Sequence, residues 1–443
     1  MARVSTSSIA HSSPSGQVCL NRQLRRWLAA TLRRLHPVLD TGAARCGAER
    51  YRKHFHSFGH ATLLLFHGLT HGQSLRESYA AFAACPGLVV LSGLAVTAAA
   101  DDERIGVSFS QFADSNTTRP AAFLASLIPP LVAQVRSRWA LERSQLPPDL
   151  HVLDSTFLRL SLLLAPWAPS NGASDVPGVR VQVGYAPALD LPEHILVTDS
   201  HHNDCQGFDQ LLLDDPTALA ALREQTLVFD LGYYSHRRFA RLRQARVHFV
   251  TRLQAQATVR VEADLPVHAS LPTLSAGRIT VLSDQQVTVG SAHNRAGAVL
   301  RHLRVVTAQV APQRAAARRG ATPIVYQILT DRWDLDAADV VQLYLWRWQI
   351  ELFFRWLKSH VHLPRLLGYS RNAVELTVNL AIVVHLLLVL AAHDLGYPRR
   401  SPALLCRILL ALAQLTPGDG QDACAGAYQL AFPGWQQEPP APP

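Results

Sequence analysis

The spacing of hydrophobic positions changes character along the chain, and each change marks a different kind of element. From Asn21 to about Arg143 the period is helical. Leu24, Trp27, Leu28, Leu32 and Leu35 recur at helical intervals with Arg25, Arg26, Arg33 and Arg34 beside them, which predicts a basic amphipathic helix. Between His151 and Thr198 three short apolar runs are separated by turns containing Gly and Pro, predicting an antiparallel meander of three strands. A helical stretch from about Gly207 to Glu224, the strand Thr226 to Phe229 ending at Asp230, a helix from about Ser235 and the strand Val247 to Thr251 follow. Such alternation predicts a mixed sheet flanked by helices. From Gln254 to Ala321 only strand-like alternation remains, so an all-β insertion is expected there. The strand Ile324 to Leu329 then leads into a long helix that begins after Asp334 and runs to about His360.

These segments give an expected organisation: a disordered tail over 1–20, a helical region over 21–145, and an α/β domain in two parts, 146–253 and 323–395. The β-rich insertion 254–322 splits that domain, and 396–443 forms a short helical region with a frayed tail. The run from Leu376 to Leu395 is apolar enough to raise a membrane span. Thr377, Asn379, His385, His393 and Asp394 interrupt it, and a buried core helix is expected instead. The Ser-rich start lacks the continuous apolar stretch of a secretory signal.

Composition narrows the class of partner. Arg and Lys number 42 against 33 acidic residues, a formal charge of +9, which favours a polyanion such as nucleic acid. Lys53 and Lys358 are the only lysines; in so Arg-rich a chain, Lys358 points to a site that needs a compact ammonium. The six cysteines are scattered with no Cys-x-x-Cys pair, as expected of a reducing cytoplasm and no structural zinc site.

The predicted helix after Asp334 carries the most unusual pattern. At about 100° per residue, Leu343, Trp346, Ile350, Phe353 and Leu357 share a core-facing side. Tyr344, Arg347, Glu351 and Lys358 fall within roughly 60° of one another elsewhere on the helix. A solvent-exposed stripe with an Arg347 to Glu351 pair, worth only a few tenths of a kcal/mol, would show the same residues. Trp348 and Trp356 on its flanks favour a cleft wall.

The spacing Tyr-x2-Arg-x3-Glu-x6-Lys resembles the signature of the insertion-sequence four family of bacterial DDE transposases, matched by Tyr344, Arg347, Glu351 and Lys358. Leu153-Asp154-Ser155-Thr156 is similar to that family's first-aspartate segment, and Phe229-Asp230-Leu231-Gly232-Tyr233 to its second. Phe249-Val250-Thr251-Arg252 and Ile328-Leu329-Thr330-Asp331-Arg332 also fit. More loosely, Ser74-Leu75-Arg76 and the segment Phe109 to Pro120 look similar. The resemblance implies an α/β, RNase H-like catalytic domain with a mixed five-stranded sheet, interrupted by the all-β insertion and preceded by a helical DNA-end-binding region.

It further implies that Asp154, Asp230 and Glu351 are catalytic and hold two Mg²⁺ (or Mn²⁺) ions. Carboxylate oxygens suit such ions, and a pair of them about 4 Å apart serves both the attacking and leaving oxygens of a phosphodiester. Tyr344, Arg347 and Lys358 would contact DNA phosphates. The implied activity is cut-and-paste transposition in the bacterial cytoplasm, at the nucleoid, on double-stranded DNA: terminal inverted repeats and target. A homodimer is expected in the DNA complex, and no membrane. A catalytically inactive DNA-binding relative would carry a substitution among these residues, and an RNase H-like nuclease would cut without joining.

Relatives of this family seal DNA ends as hairpins and stack a flipped base on a tryptophan of the β insertion. Residues 254–321 contain no Trp, Tyr or Phe. Trp348, about 60° from Glu351 around the helix, is the expected stacking ring, with Tyr326, Trp333, Trp346, His268, His293 and His302 as other candidates. His201, His202 and Asp204 look metal-like, but a capping or turn role is expected of them.

Overall fold

A computed structural model describes residues 14–415, apart from 51–53, 71–73, 95, 100–101, 140–145, 162, 169–176, 200–203, 268–278, 291–298, 313–319 and 321. The chain forms two compact units, one comprising Met1–Gln134 with Ser359–Pro443 and the other Val135–Lys358.

The first unit is built from the helical pattern. Helix α1 (Pro14–Cys46) starts before Asn21, inside the stretch expected to be a tail, and it buries Leu24, Trp27, Leu28, Leu32 and Leu35. Helix α2 (Ser57–Leu69) is buried along nearly its whole length, so its polar groups need partners: His60 Nε2 meets Asn116 Oδ1 at 2.8 Å. Helix α3 (Leu75–Ala83) opens on a capping box in which Ser74 and Glu77 satisfy each other's backbone N–H groups. Helix α4 (Pro86–Leu91) follows. A two-stranded hairpin, β1 (Val96–Ala99) and β2 (Asp102–Ile105), then interrupts a region read as wholly helical. Helices α5 (Phe109–Thr118), α6 (Ala122–Ala125) and α7 (Ile128–Trp139) complete this stretch.

The second unit is organised by one sheet. Strands β3 (Leu150–Arg159), β4 (Gly178–Ala186) and β5 (Leu191–Asp199) form the expected antiparallel meander. In place of a single helix after it come α8 (Asp204–Phe208), the π-helical turn α9 (Asp209–Leu213), and α10 (Pro216–Ala221), where Asp215 caps and Pro216 takes the first helical position. Strand β6 (Thr226–Phe229) runs parallel to β3, and after α11 (His236–Gln244) strand β7 (His248–Arg252) runs parallel to β6. The order β5-β4-β3-β6-β7 is a mixed sheet, consistent with the RNase H-like arrangement that the resemblance implies.

That sheet does not stop at five strands, and the insertion is not set apart from it. Strands β8 (Val259–Asp264), β9 (Ile279–Val289), β10 (Leu300–Val310) and β11 (Ile324–Thr330) continue the sheet: β11 pairs antiparallel with β7 and β10 with β11. Among the described residues the result is nine strands in the order β5-β4-β3-β6-β7-β11-β10-β9-β8. Alternation fixes which residues share a face but not which strand lies alongside, so the pattern alone could not reveal this continuity. The outermost strand β8 carries Arg260, Glu262 and Asp264, charges that suit an open edge.

The long helix is also two helices, α12 (Ala337–Leu345) and α13 (Trp348–His360). At the break the backbone tightens to i→i+3 bonds: Trp346 N–H reaches Leu343 O at 3.2 Å and Arg347 N–H reaches Tyr344 O at 3.0 Å. Neither Pro nor Gly marks the spot, so helical periodicity runs through it unbroken. On one side of the sheet Phe229, Phe239 and Phe249 cluster with Phe208; Tyr185 of β4 stacks on Phe353 of α13 at 5.0 Å.

Helices α14 (Arg371–Leu395) and α15 (Pro402–Ala413) belong to the first unit. Helix α14 is long and apolar enough to cross a membrane, and it packs against α2, α5, α6 and α15. Asn372 helps to hold it there: its side chain accepts from Ala121 N and donates to the carbonyls of Asn116 and Arg119.

Candidate active site

Register places the two aspartates together. In the parallel pair β3–β6, Leu153 lies opposite Phe229, and each is followed by an aspartate, so Asp154 and Asp230 occupy neighbouring positions about 5 Å apart across the sheet. In the pair β6–β7, Val228 lies opposite Val250, which carries the same row on to Arg252. Asp230 sits where β6 ends and a single 3₁₀ turn, Leu231–Tyr233, begins.

The helix break supplies the rest. Tyr344, at the end of α12, donates its hydroxyl to Asp230 Oδ1 at 3.0 Å. Arg347, in the break itself, donates from Nη1 to Asp154 Oδ2 at 3.0 Å and from Nη2 to Glu351 Oε1 at 2.7 Å. Glu351 lies in the first turn of α13. Arg252 adds a second guanidinium, 3.5 Å from Asp230 Oδ1. Five of the sequence-derived residues therefore converge: Asp154, Asp230, Glu351, Tyr344 and Arg347.

Lys358 and Trp348 stand outside this network. Lys358 is exposed on α13 about 10 Å along the axis from Glu351, and partial burial lowers the pKa of its ammonium. Trp348, at the start of α13, is 49% exposed. The other candidate rings are partly engaged: Trp333 stacks on His302 at 4.4 Å, and Tyr326 lies against Tyr344. His201, His202, His268 and His293 lie outside the described residues. Asp204, in the first turn of α8, accepts from Ser155 Oγ at 2.8 Å and from Arg180 Nη1 at 3.0 Å. That contact anchors the residue next to Asp154, a role the sequence did not show. Arg252 was legible only as part of a strand.

The electrostatics of the cluster are uneven. Burial pushes the Asp154 carboxyl up to about 6; the carboxylates of Asp230 and Glu351 add to that rise, while the Ser155 N–H and Arg347 oppose it. Burial would raise Asp230 as well, but the Leu231 N–H, Arg347, Tyr344 and Arg252 hold it below the ordinary value. Burial and the Asp230 charge push the Tyr344 phenol up, so it remains a donor. Three carboxylates share two guanidiniums, and the buried Nε of Arg347 has no hydrogen-bond partner.

This donor set suits a hard divalent cation: all-oxygen ligands, surplus negative charge, and side chains drawn from the middle of β3, the end of β6 and one helix. Among the described residues no three His, Cys, Asp or Glu side chains are drawn together into a metal-ligand group; Arg347 stands between Asp154 and Glu351. A cation there would take over the neutralising role of that guanidinium.

A protein of Sinorhizobium fredii named as transposase y4zB is 29% identical over 281 residues, covering 63% of this chain and 70% of that protein. The transposase named for insertion sequence element IS5377 of Geobacillus stearothermophilus is 27% identical over 244 residues, 55% of this chain and 56% of its own length. A cryo-EM structure of the piggyBac transposase synaptic complex with hairpin DNA aligns over 88% of this chain and 80% of that one. With 10% identity and a TM-score of 0.37, that likeness is too loose to bear on the site. The family model described as Transposase DDE domain matches residues 146–387, from just before β3 into α14 and spanning every residue of the cluster. With more than half of its 443 residues so matched, the chain belongs to the Transposase DDE domain family.

Proposed function

We propose that this protein is a cut-and-paste transposase of the Tyr-Arg-Glu-Lys type, acting as a homodimer on the terminal inverted repeats of an insertion sequence and on target DNA. The observation that carries the reading is the row Asp154–Asp230 on adjacent parallel strands, closed by Glu351 across Arg347. On this reading the mixed sheet is an RNase H-like catalytic core. Asp154, Asp230 and Glu351 hold two Mg²⁺ or Mn²⁺ ions, which when bound activate the attacking oxygen and stabilise the leaving one.

The chain's own groups do the positioning. Arg347, released from the carboxylates, offers a planar fork to a phosphate beside the scissile bond, and Lys358 offers a point charge further along the helix. Tyr344 orients Asp230 through its hydroxyl and lies beside the same phosphates. Trp348, exposed at the start of α13, offers a ring face on which an extruded base can stack, worth about 1 to 3 kcal/mol.

Incubating the purified protein with end-labelled DNA bearing the repeats that flank its gene, in Mg²⁺, tests the reading. Nicked and then joined products are expected, and none with a chelator. Cutting without joining would indicate a nuclease instead, and end binding without cutting an inactive relative. In the same assay Trp348→Ala should still nick the first strand but yield no hairpin; an unchanged hairpin yield would remove Trp348 from the mechanism.

A further inference from the structure

We infer that Arg304, on insertion strand β10, is a positioning residue for the active site: it clamps the loop that launches the α12–α13 arm carrying Tyr344, Arg347 and Glu351. The inference rests on the reading of those three residues given above. Arg304 is 7% exposed and Asp284, on β9, is 3% exposed. The guanidinium uses one edge on Asp284, with Nε to Oδ1 at 2.9 Å and Nη2 to Oδ2 at 2.6 Å. Its remaining nitrogen leaves the insertion altogether: Nη1 donates to Leu335 O at 2.6 Å and to Arg332 O at 3.2 Å. A salt bridge whose task was only to join β9 to β10 would have no need of those two carbonyls.

The carbonyls belong to the short connection between β11 and α12, and Leu335 immediately precedes Asp336, the residue that opens the helix. The same connection is gripped again by insertion strand β10, where His302 stacks on Trp333. From the core side Asp331 accepts from Phe249 N–H at 2.9 Å, and Arg332 reaches Asp149 at 2.9 Å. Helix α12 then crosses β9, β10, β11, β7 and β6, burying Val340, Val341 and Leu343. Its nine residues span about 13 Å, so a shift or tilt at the clamped end is carried to Tyr344 and the break beyond it. Displacing a reacting group by about 1 Å can cost a hundredfold in rate, which makes the setting of this arm a catalytic matter. The insertion strands thus do more than extend the sheet: they fix the arm that brings Glu351 to Asp154 and Asp230.

The test uses Arg304→Gln combined with Asp284→Asn, which removes the clamp without leaving a buried unpaired charge, and Arg260→Gln as a control on the exposed Arg260–Glu262 pair of the same insertion. Hydrogen exchange should quicken about tenfold or more across residues 337–347 in the double variant, with β3 and β6 unchanged and the control like the parent. In single-turnover nicking of labelled end DNA with Mg²⁺, the rate constant should fall about thirtyfold or more while the reacting fraction and end-DNA affinity stay within about twofold. Unchanged exchange over 337–347, exchange quickened uniformly over the unit, or a lowered reacting fraction with an unchanged rate constant would each overturn the clamp. If the parent itself fails to nick DNA, the transposase reading falls, while the exchange pattern still decides whether Arg304 sets the arm.

Discussion

Two charge clusters lie on the same sheet or against it and use the same residue types, yet they are built differently. In the Asp284–Arg304 pair one carboxylate meets one guanidinium, both carboxylate oxygens are engaged, and all three guanidinium nitrogens have partners. In the Asp154, Asp230, Glu351 cluster three carboxylates divide Arg347 and Arg252 among them, Arg347 Nε is left without a partner, and Asp154 is pushed up to about 6. The first is shut from water; in the second Glu351 is 31% and Asp230 37% exposed. A matched, closed pair holds structure, whereas on the proposed reading a reachable cluster short of positive charge takes up a cation and a polyanion.

The sharpest break of this contrast is removal of one charge from the uneven cluster. Asp154→Asn, Asp230→Asn or Glu351→Gln should lower cleavage of labelled end DNA about a thousandfold or more, about 4 kcal/mol in barrier, with end binding kept within a few-fold in a mobility-shift assay. A variant that still cuts near the parental rate would take that residue out of the site.

In the matched pair the large effect should fall on stability instead. Arg304→Ala strands the Asp284 carboxylate and should cost about 3 kcal/mol in urea unfolding, most of it recovered when Asp284→Asn is added. Equal losses in the single and double variants would mean the cost is not one of an unpaired charge.

Lys358 should show a smaller effect, through its shape and not its charge. Lys358→Arg is expected to slow first-strand nicking about tenfold, about 1.4 kcal/mol, because a guanidinium does not replace a compact ammonium. Full activity in that variant would leave the lysine incidental.

The smallest effect is a stability gain. The folded protein keeps the Asp154 proton up to about pH 6, whereas the unfolded chain releases it near 3.8. Ionising this carboxyl therefore opposes folding: stability falls as pH rises from about 4 to 6 and is level above. In chelator-treated buffer Asp154→Asn should be more stable than the parent by on the order of 1 kcal/mol at pH 8, and no different at pH 4. A gain at pH 4, or none at pH 8, would contradict the strain assigned to this residue.

How much of this was legible follows from what a sequence pattern encodes. Apolar runs ending in Asp154 and Asp230 predicted two strand-terminal acids, and the order of the motifs tied them to Glu351; Asp230 does follow the end of β6, whereas β3 continues past Asp154 to Arg159. The parallel register that makes them neighbours is a tertiary fact. The same limit hid Arg252, which faces Asp230 only because β7 runs parallel to β6. Periodicity also carried one helix straight through Trp346 and Arg347, where the chain bends without Pro or Gly. The site is made around that break: Tyr344 lies near the end of α12, Arg347 in the break, and Glu351 in the first turn of α13, still paired with Arg347 four residues back. Joining of the insertion strands to the core through β11 was invisible for the same reason as the register.

Mn²⁺ titration followed by the paramagnetic resonance of the free ion decides whether the uneven cluster holds cations. With end DNA present the parent should bind two Mn²⁺ per chain, and Asp154→Asn, Asp230→Asn and Glu351→Gln should each lose at least one of them. Equal Mn²⁺ binding by the parent and all three variants would mean that these carboxylates hold no cation.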